Sequence, residues 1–309
     1  MLQIQGLVKR YGQTLALDHL DLNVEEGEIF GLLGPNGSGK TTTIGCALAL
    51  LSFDSGTVRL FGQDMTPSAY DLKRQIGVVF QDVAVFDRLS VYENIDYFCS
   101  LYVPDREERR KLVDEAIDAT GLNDCRKKIP KHLSGGLLRR LNIACGIAHK
   151  PRLIFLDEPT VAVDPQSRNR ILEDIRALNR AGSTIIYTSH YMEEVEQICS
   201  RIAIIDHGRT IACGTTDELK QMIRTGETIT VQSIALSDEQ LSRIRHMEQV
   251  FDVTLEKELL TIKYSGRGNH LLSLLHYLES ENIRFADVFS KQPTLNDVFL
   301  EITGKELRE

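Results

Sequence analysis

Tryptophan is absent from this chain of 309 residues, and no apolar run approaches the roughly 20 residues that a transmembrane helix needs. We therefore expect no membrane span within it. The six cysteines are scattered and form no C-x-x-C pair, which argues against a zinc site or a disulfide framework and favours reduced thiols in a cytosolic protein. The first residues lack a basic region followed by an apolar core, so we expect no secretory signal.

Basic residues are also in the minority, with 36 Lys and Arg against 44 Asp and Glu, for a formal net charge of -8. Proteins that bind nucleic acid non-specifically use Lys and Arg to neutralise phosphates, so this balance argues against a nucleic-acid partner. The length exceeds one average domain, and two domains are the natural expectation.

Residues 1–224 predict an α/β domain with a mostly parallel sheet. Apolar segments such as 29–33, 76–80, 153–156 and 184–188 alternate with stretches of helical character. In such a sheet the ligand site lies at the carboxyl ends of the strands. Leu20, Leu22 and Val24 alternate with polar residues instead, as in a half-buried strand, and residues 91–120 look helical.

The pattern changes near residue 225, where we place the start of a second domain that spans 225–309. Its expected order is strand, helix, two strands that pair as a hairpin, helix and strand, which resembles a small ferredoxin-like α+β unit. No phosphate loop, metal cluster or catalytic pair is visible in this segment, and we interpret it as an accessory domain.

A phosphate-binding loop, G-x-x-x-x-G-K-[ST], stands between the apolar segment 29–33 and a helical stretch. Such loops turn successive backbone N–H groups toward the phosphates at a helix N-terminus. The lysine reaches the β- and γ-phosphates, and the following hydroxyl holds Mg²⁺. The expected nucleotide-binding residues are Gly34, Pro35, Asn36, Gly37, Ser38, Gly39, Lys40, Thr41 and Thr42.

Two further motifs follow. The apolar segment 153–156 ends in Asp157 and Glu158, where Asp157 would hold Mg²⁺ and Glu158 would accept a proton from an attacking water. Ser134, Gly135 and Gly136 open a helical stretch and form a second anion-binding geometry. One nucleotide does not need two such cradles, so the second one makes sense for a nucleotide held by another copy of the protein.

In this order the motifs resemble those of the ATP-binding subunits of ABC transporters, over roughly residues 2–223, which implies the fold of a P-loop NTPase with antiparallel β and helical subdomains. The matching positions are Tyr11, as the aromatic that stacks on adenine, residues 34–42 as Walker A, Gln81 in the glutamine loop, residues 134–136 in the signature motif, residues 153–158 as Walker B, Asp164 in the D-loop and His190 as the switch histidine.

The resemblance implies an ATPase that uses ATP and Mg²⁺. Its implied catalytic residues are Glu158 as general base, His190 and Lys40 at the γ-phosphate, and Gln81, which senses Mg²⁺. The implied metal-binding residues are Thr41, Gln81 and Asp157. ATP would be clamped between the Walker A loop of one chain and residues 134–136 of a second copy, or of a homologous cassette.

The chain departs from the family pattern at Leu137, where the signature motif usually carries glutamine, and at Ala162 and Val163 beside Asp164. Neither change predicts a dead enzyme.

Residues 139–144, 164–168 and 295–301 resemble the drug-resistance type of ABC subunit, which pairs with an ABC-2-type membrane permease and powers export. The implied location is cytoplasmic, on the inner face of the cell membrane through that permease. A soluble ABC ATPase that acts on ribosomes or DNA is the alternative function. A cassette that binds ATP without turning it over is a third, against which Glu158 and His190 argue.

Overall fold

The computed structural model describes residues 1–232, 234–266 and 268–304, and the chain divides into two compact units between Thr215 and Thr216. The boundary predicted from the sequence, after residue 224, lies inside the second unit. Two contacts explain the difference: helix Thr216–Gln221 packs against helix Leu295–Thr303, and the backbone N–H of Arg224 donates to Glu301 Oε1 at 2.6 Å.

The first unit contains ten strands and seven α-helices among its described residues. Its strands are β1 (Leu2–Tyr11), β2 (Thr14–Val24), β3 (Ile29–Leu33), β4 (Ser55–Leu60), β5 (Gln63–Asp64), β6 (Ile76–Val79), β7 (Leu153–Asp157), β8 (Thr184–Ser189), β9 (Arg201–Asp206) and β10 (Arg209–Gly214). Its helices are α1 (Lys40–Ala47), α2 (Tyr70–Lys73), α3 (Val91–Ser100), α4 (Arg106–Ala119), α5 (Gly135–Ile147), α6 (Pro165–Arg180) and α7 (Met192–Ile198).

Two sheets form the body of this unit. An antiparallel sheet has the order β2-β1-β4-β5, and a six-stranded sheet has the order β10-β9-β3-β8-β7-β6. All strands of the larger sheet run parallel except β10, as the alternation of helices and apolar strands predicted. Every residue of β3, β7 and β8 is buried. Side chains of these strands pack in one apolar cluster with the antiparallel sheet and α1, and helix α7 also contacts β3 and β8.

Helices α3, α4 and α5 enclose an apolar cluster of their own, which includes Val91, Ile117 and Leu141. The predicted helical stretch 91–120 is two helices, because Pro104 follows α3 and Asp105 caps α4 by accepting a hydrogen bond from the Glu108 N–H at 2.8 Å. This helical subdomain carries the residues that lead into α5.

The second unit has the strand and helix order that the sequence predicted. Its elements are α8 (Thr216–Gln221), β11 (Thr225–Gln232), α9 (Asp238–Arg245), β12 (Val250–Glu256), β13 (Leu259–Ser265), α10 (His270–Ser280), β14 (Val288–Lys291) and α11 (Leu295–Thr303). The strands pair antiparallel in the order β12-β13-β11-β14, which is the ferredoxin-like arrangement. Helices α8 and α11 are additions to it.

The six cysteines are in the thiol form, and they differ in exposure. Cys46, Cys99, Cys125 and Cys145 are buried, Cys199 is half-buried and Cys213 is exposed. Burial raises the pKa of Cys99 to about 11 and raises the pKa values of Cys145 and Cys199 further. None of the described helices is long and apolar enough to cross a membrane.

His149 joins the helical subdomain to the parallel sheet. Its Nε2 lies 3.0 Å from the carbonyl oxygen of Ile76 in β6, and its ring stacks on Tyr102 with centroids 3.8 Å apart. Burial lowers the pKa of His149 to about 4, and the hydrogen bond with Ile76 opposes that shift only in part.

We expect this imidazole to make the first unit less stable in weak acid. The unfolded chain takes up the proton near pH 6.5, whereas the folded chain does so only near pH 4, so stability is complete above pH 6.5 and falls as the pH drops toward 4. Between pH 7 and 5 the loss is about 2 kcal/mol. In urea titrations at several pH values, the free energy of unfolding of His149→Phe should change less with pH than that of the wild type. His132→Phe, at an exposed histidine, should show the same pH dependence as the wild type. Parallel curves for His149→Phe and the wild type would refute the assignment.

Candidate functional site

Three adjacent strands of the large sheet end at one place. Strand β8 lies between β3 and β7, with Leu33 paired to Ser189 and Asp157 paired to Thr188. The phosphate loop follows β3, Glu158 follows β7, and His190 follows β8. Because the strands are parallel, their carboxyl ends meet at one edge, where ligands bind in open α/β sheets.

The phosphate loop is built around the buried side chain of Lys40, the first residue of α1. Gly39, its N-cap, has φ +109°, and a Cβ there would lie 2.8 Å from Leu17 Cδ2. Only glycine fits that conformation and that contact. Lys40 Nζ donates to the carbonyl oxygens of Gly34 at 2.7 Å and Pro35 at 3.2 Å. Ser38 Oγ is buried without a hydrogen-bond partner among the described residues, as expected of a group that would bind a ligand.

Asp157, buried at the end of β7, receives hydrogen bonds on both carboxylate oxygens. Thr41 Oγ1 donates to Oδ2 at 3.0 Å, and Thr188 Oγ1 donates to Oδ1 at 2.6 Å. The sequence predicted that Thr41 and Asp157 share one site, and the structure brings them into contact. Thr188 was not foreseen, although its hydroxyl also accepts a hydrogen bond from the Glu158 N–H at 2.9 Å.

Glu158 adopts a conformation that residues other than glycine rarely adopt, with φ +47°. Its N–H is held by Thr188, and its Oε1 lies 3.6 Å from Lys40 Nζ and 3.4 Å from His190 Nδ1. Burial lowers the pKa of Lys40, and the charges of Glu158 and Asp157 oppose that shift. The expected base therefore lies within 4 Å of both the buried lysine and the half-buried histidine.

The charge of this volume suits a divalent cation bound together with phosphates. One buried ammonium faces two buried carboxylates, Asp157 and Glu158. In the described part of the chain, no group of three or more His, Cys, Asp or Glu side chains is arranged to bind a metal. Mg²⁺ fits a set of one carboxylate and one hydroxyl, since it keeps several waters and takes further oxygens from substrate phosphates. Asp157 and Thr41 supply such a pair.

The Ser-Gly-Gly motif lies at the N-terminus of α5, as predicted. Ser134 caps the helix by accepting a hydrogen bond from the Leu137 N–H at 3.4 Å, and Ser134 and Gly135 are exposed. Gly136 is buried against α6, where a Cβ would lie 2.1 Å from Ser167 Oγ. Leu137, the departure from the family pattern, packs against the apolar cluster of the helical subdomain.

Asp164 caps α6 and so lies beside the signature motif. Its carboxylate accepts a hydrogen bond from the Ser167 N–H at 2.9 Å, and that bond lowers the pKa of Asp164. Ala162, in the same loop, also has a positive φ, of 59°. Because alanine carries a Cβ, this backbone is strained as that of Glu158 is.

Gln81 follows β6, and helix α5 holds it through its backbone. Arg139 Nη1 donates to the carbonyl oxygen of Gln81 at 2.7 Å and to that of Phe80 at 3.2 Å. Asn142 of the same helix accepts from the Ala84 N–H at 3.1 Å. The helix that begins at the signature motif thus also fixes the glutamine loop.

Tyr11 ends β1 opposite Thr14, and its ring is 48% exposed with Lys9 Nζ 5.0 Å from the ring centroid. Leu17, farther along β2, contacts the phosphate loop near Gly39. Leu17 pairs with Lys9, so Tyr11 lies two residues along β1 from the position whose partner contacts the loop. An exposed ring there can stack on a base whose phosphates lie in the loop.

Sequence reasoning missed the polar residues that position the site. Thr188, Arg139 and Glu194 are buried and bonded to the motif segments. The one available signal was the polar end of an otherwise apolar strand, Tyr187-Thr188-Ser189. Buried hydroxyls there require partners.

Comparison with known proteins agrees with this geometry. The family model of the ABC transporter matches residues 17–161. The linearmycin resistance ATP-binding protein LnrL of Bacillus subtilis (strain 168) is 38% identical over 311 positions, covering 100% of both chains. The daunorubicin/doxorubicin resistance ATP-binding protein DrrA of Streptomyces peucetius is 39% identical, covering 98% of this chain and 92% of the relative.

Among solved structures, a dimeric ATP-binding cassette in a post-hydrolysis state, bound to ADP and phosphate, is 27% identical with a TM-score of 0.63. It covers 70% of this chain, and 98% of that cassette is matched. The expected P-loop fold and the resemblance to drug-resistance subunits are confirmed. Since the matching family model is that of the ABC transporter and both relatives are ATP-binding resistance proteins, we set aside the ribosomal or DNA-acting alternative and the cassette without turnover. The chain belongs to the ABC transporter family, as an ATP-binding and ATP-hydrolysing subunit.

Proposed function

We propose that this subunit hydrolyses MgATP at two sites between two copies of the chain, and that the cycle drives an ABC-2-type exporter in the membrane. The observation that supports it best is the group formed by the buried Lys40 and Glu158 with the half-buried His190 at the carboxyl edge of the sheet. Family resemblance extends over the whole chain, including the second unit. The names of the relatives point to a toxic organic compound as cargo.

In the proposed reaction Glu158 accepts the proton of the attacking water. Lys40 and His190 stabilise the charge that develops on the transferred phosphoryl group. Bound Mg²⁺, held by Thr41 and Asp157 and sensed by Gln81, would neutralise charge on the phosphate oxygens. Thr188 keeps both acids in place, because its hydroxyl bonds to the Asp157 carboxylate and to the Glu158 N–H.

Two copies would complete the site in a head-to-tail arrangement. Ser134 and Gly135 are exposed at the N-terminus of α5, where backbone N–H groups favour an anion. We assign these groups to the γ-phosphate of the ATP that is bound in the partner copy, and Asp164 to the surface between the copies. Tyr11 would stack on the adenine of its own ATP.

Glu158→Gln should trap an ATP-bound dimer. The amide keeps the size of the side chain but cannot accept the proton, so we expect kcat for ATP hydrolysis to fall by about 100-fold or more. Size-exclusion chromatography with light scattering, in excess MgATP, should show the dimer mass.

The matched control for this dimer is the double variant Glu158→Gln with Ser134→Arg, which should stay monomeric because the added side chain blocks the exposed cradle. A monomer for Glu158→Gln itself in excess MgATP would contradict the proposed dimer. An unchanged kcat would contradict the role of Glu158.

Thr41→Val tests the proposed magnesium ligand. The variant retains shape but loses the hydroxyl that contacts Asp157, so the Mg²⁺ concentration for half-maximal ATPase activity should rise by about tenfold. Activity is measured against free Mg²⁺ at a fixed ATP concentration, with Thr57→Val on the exposed part of β4 as the control. If Thr41→Val and Thr57→Val need the same Mg²⁺ concentration for half-maximal ATPase activity, Thr41 is not a magnesium ligand.

We assign the permease to an aromatic surface beside the glutamine loop. Phe86 and Tyr97 are both 44% exposed, with ring centroids 4.8 Å apart, and Leu101 is 62% exposed on the same side of the helical subdomain. Exposed aromatic clusters are typical of protein interfaces. The glutamine loop beside this surface is hydrogen-bonded at Phe80 and Gln81 to Arg139 of α5. A bound permease would therefore be coupled to the helix that begins at the signature motif. The subunit would then lie on the cytoplasmic face of the membrane.

The double variant Phe86→Ser with Tyr97→Ser should separate hydrolysis from assembly. We expect recovery of the permease in pull-downs from detergent-solubilised membranes to drop by about tenfold, because aromatic anchors dominate interface energies. ATPase activity of the purified subunit should stay within about twofold of the wild type, since surface substitutions away from the site perturb the fold little.

Tyr70→Ser, at a tyrosine that is 69% exposed on α2, is the matched control and should retain the permease. Undiminished permease recovery with the double variant would refute this docking surface. Recovery of ribosomal or DNA-bound proteins in place of a polytopic membrane protein would refute the exporter proposal itself.

A further inference from the structure

A third buried carboxylate lies beside Asp157 and Glu158 and has no part in the reaction described above. Glu194 of α7 is 3% exposed. Its Oε2 accepts hydrogen bonds from Thr160 Oγ1 at 2.7 Å, Tyr187 OH at 2.6 Å and Ser189 Oγ at 3.1 Å. Its Oε1 lies 3.3 Å from Arg168 Nε, in an ion pair. One carboxylate thus gathers three hydroxyls and a guanidinium.

Two of these partners flank the reacting residues. Thr160 follows Glu158 by two residues, and Ser189 directly precedes His190. Ser189 Oγ also accepts a hydrogen bond from the Tyr191 N–H at 2.9 Å, which fixes the backbone on the far side of the histidine. Because both segments are bonded to the same oxygen, Glu194 determines how the Glu158 loop lies relative to His190.

The fourth partner extends the connection to α6. Arg168 lies in the first turns of α6, which Asp164 caps, and its guanidinium stands 4.6 Å from the centroid of the Tyr191 ring. Ser167 beside it contacts Gly136 of the signature motif. The carboxylate therefore connects the histidine loop with the helix on which the signature motif packs.

A carboxylate suits this position better than any neutral side chain. All three hydroxyls donate to one oxygen, and burial beside the Glu194 charge raises the pKa of Tyr187, so the tyrosine keeps its proton as a donor. In a glutamine the oxygen that these hydroxyls share would lose its charge, so their hydrogen bonds to it would weaken, and the NH₂ group would face Arg168 without pairing with it. With weaker bonds at Thr160 and Ser189, the two loops would shift.

We propose that Glu194 is a positioning residue for ATP hydrolysis, which holds the Glu158 loop and the His190 loop in register and connects them to α6. The inference rests on the proposed roles of Glu158 and His190. It does not require the permease, and the kcat of each variant is compared with that of the wild type whether or not the hydrolysing species is the proposed dimer.

Glu194→Gln is the first test, measured as steady-state ATPase activity of the full chain. We expect kcat to fall by about tenfold, because small misplacement of reacting groups is expensive. The KM for ATP should stay within about twofold, since the phosphate loop is untouched. The matched control is Glu193→Gln, the same chemical change at the exposed neighbour on α7, which should leave kcat unchanged.

Thr160 supplies a second test that is independent of the folding of Glu194→Gln. Thr160→Val removes a hydroxyl bonded to Glu194 and should lower kcat, whereas Thr160→Ser keeps that hydroxyl and should retain most of the activity. A role in packing alone would predict the reverse order, because valine preserves the shape of threonine and serine does not.

The third measurement separates positioning from general damage. In the Glu158→Gln background, Glu194→Gln should leave ATP-driven dimerisation intact, because that step precedes hydrolysis. The proposal is overturned if Glu194→Gln and Glu193→Gln share the wild-type kcat, or if Thr160→Val is more active than Thr160→Ser. A monomeric Glu158→Gln parent would refute the proposed dimer and leave the kinetic comparison of Glu194 standing.

Discussion

The site depends on one buried electrostatic arrangement, in which the Lys40 ammonium faces the carboxylates of Asp157 and Glu158. Charges are costly to bury, and removing one partner of such a group leaves an uncompensated charge. The surrounding bonds keep the groups close: Thr41 and Thr188 bind Asp157, and Thr188 also holds the backbone of Glu158. The strained backbone at Glu158 persists because these contacts over-determine it.

This arrangement requires the order of the central sheet. Strand β8 must lie between β3 and β7 to place Thr188 beside Asp157 and Ser189 beside Leu33. The antiparallel sheet contributes Leu17 against the phosphate loop, and helix α5 fixes the segment around Gln81 with Arg139 and Asn142. The antiparallel sheet and the helical subdomain therefore each contact a different part of the same site.

Motifs of adjacent residues were predictable, and so was most of the fold. The segment 34–42 carries its glycines, lysine and threonine in one run, and alternating apolar segments indicated the parallel sheet and the ferredoxin-like unit. The boundary expected after residue 224 differs from the division between Thr215 and Thr216, because the packing of α8 against α11 and the contact between Arg224 and Glu301 are tertiary contacts that the sequence does not show.

Positioning residues could not be predicted in the same way. Glu194 and Thr160 are 34 residues apart in sequence, and Arg139 and Gln81 are 58 apart. A single glutamate on a charged helical segment, among Glu193, Glu194 and Glu196, looks like a solvated surface residue. Its function depends on which side of α7 packs against β8, and that is set by tertiary packing.

The distribution of thiols gives the chain a practical property. Alkylating reagents attack thiolates that solvent can reach. Cys145 and Cys99 are buried and have raised pKa values, about 11 for Cys99, and the half-buried Cys199 also has a raised pKa. Cys213 on β10 is the exposed thiol. A maleimide dye should therefore enter the folded wild-type chain at this one strand first, so a fluorescent reporter can be attached to the ATPase unit without prior removal of its other cysteines.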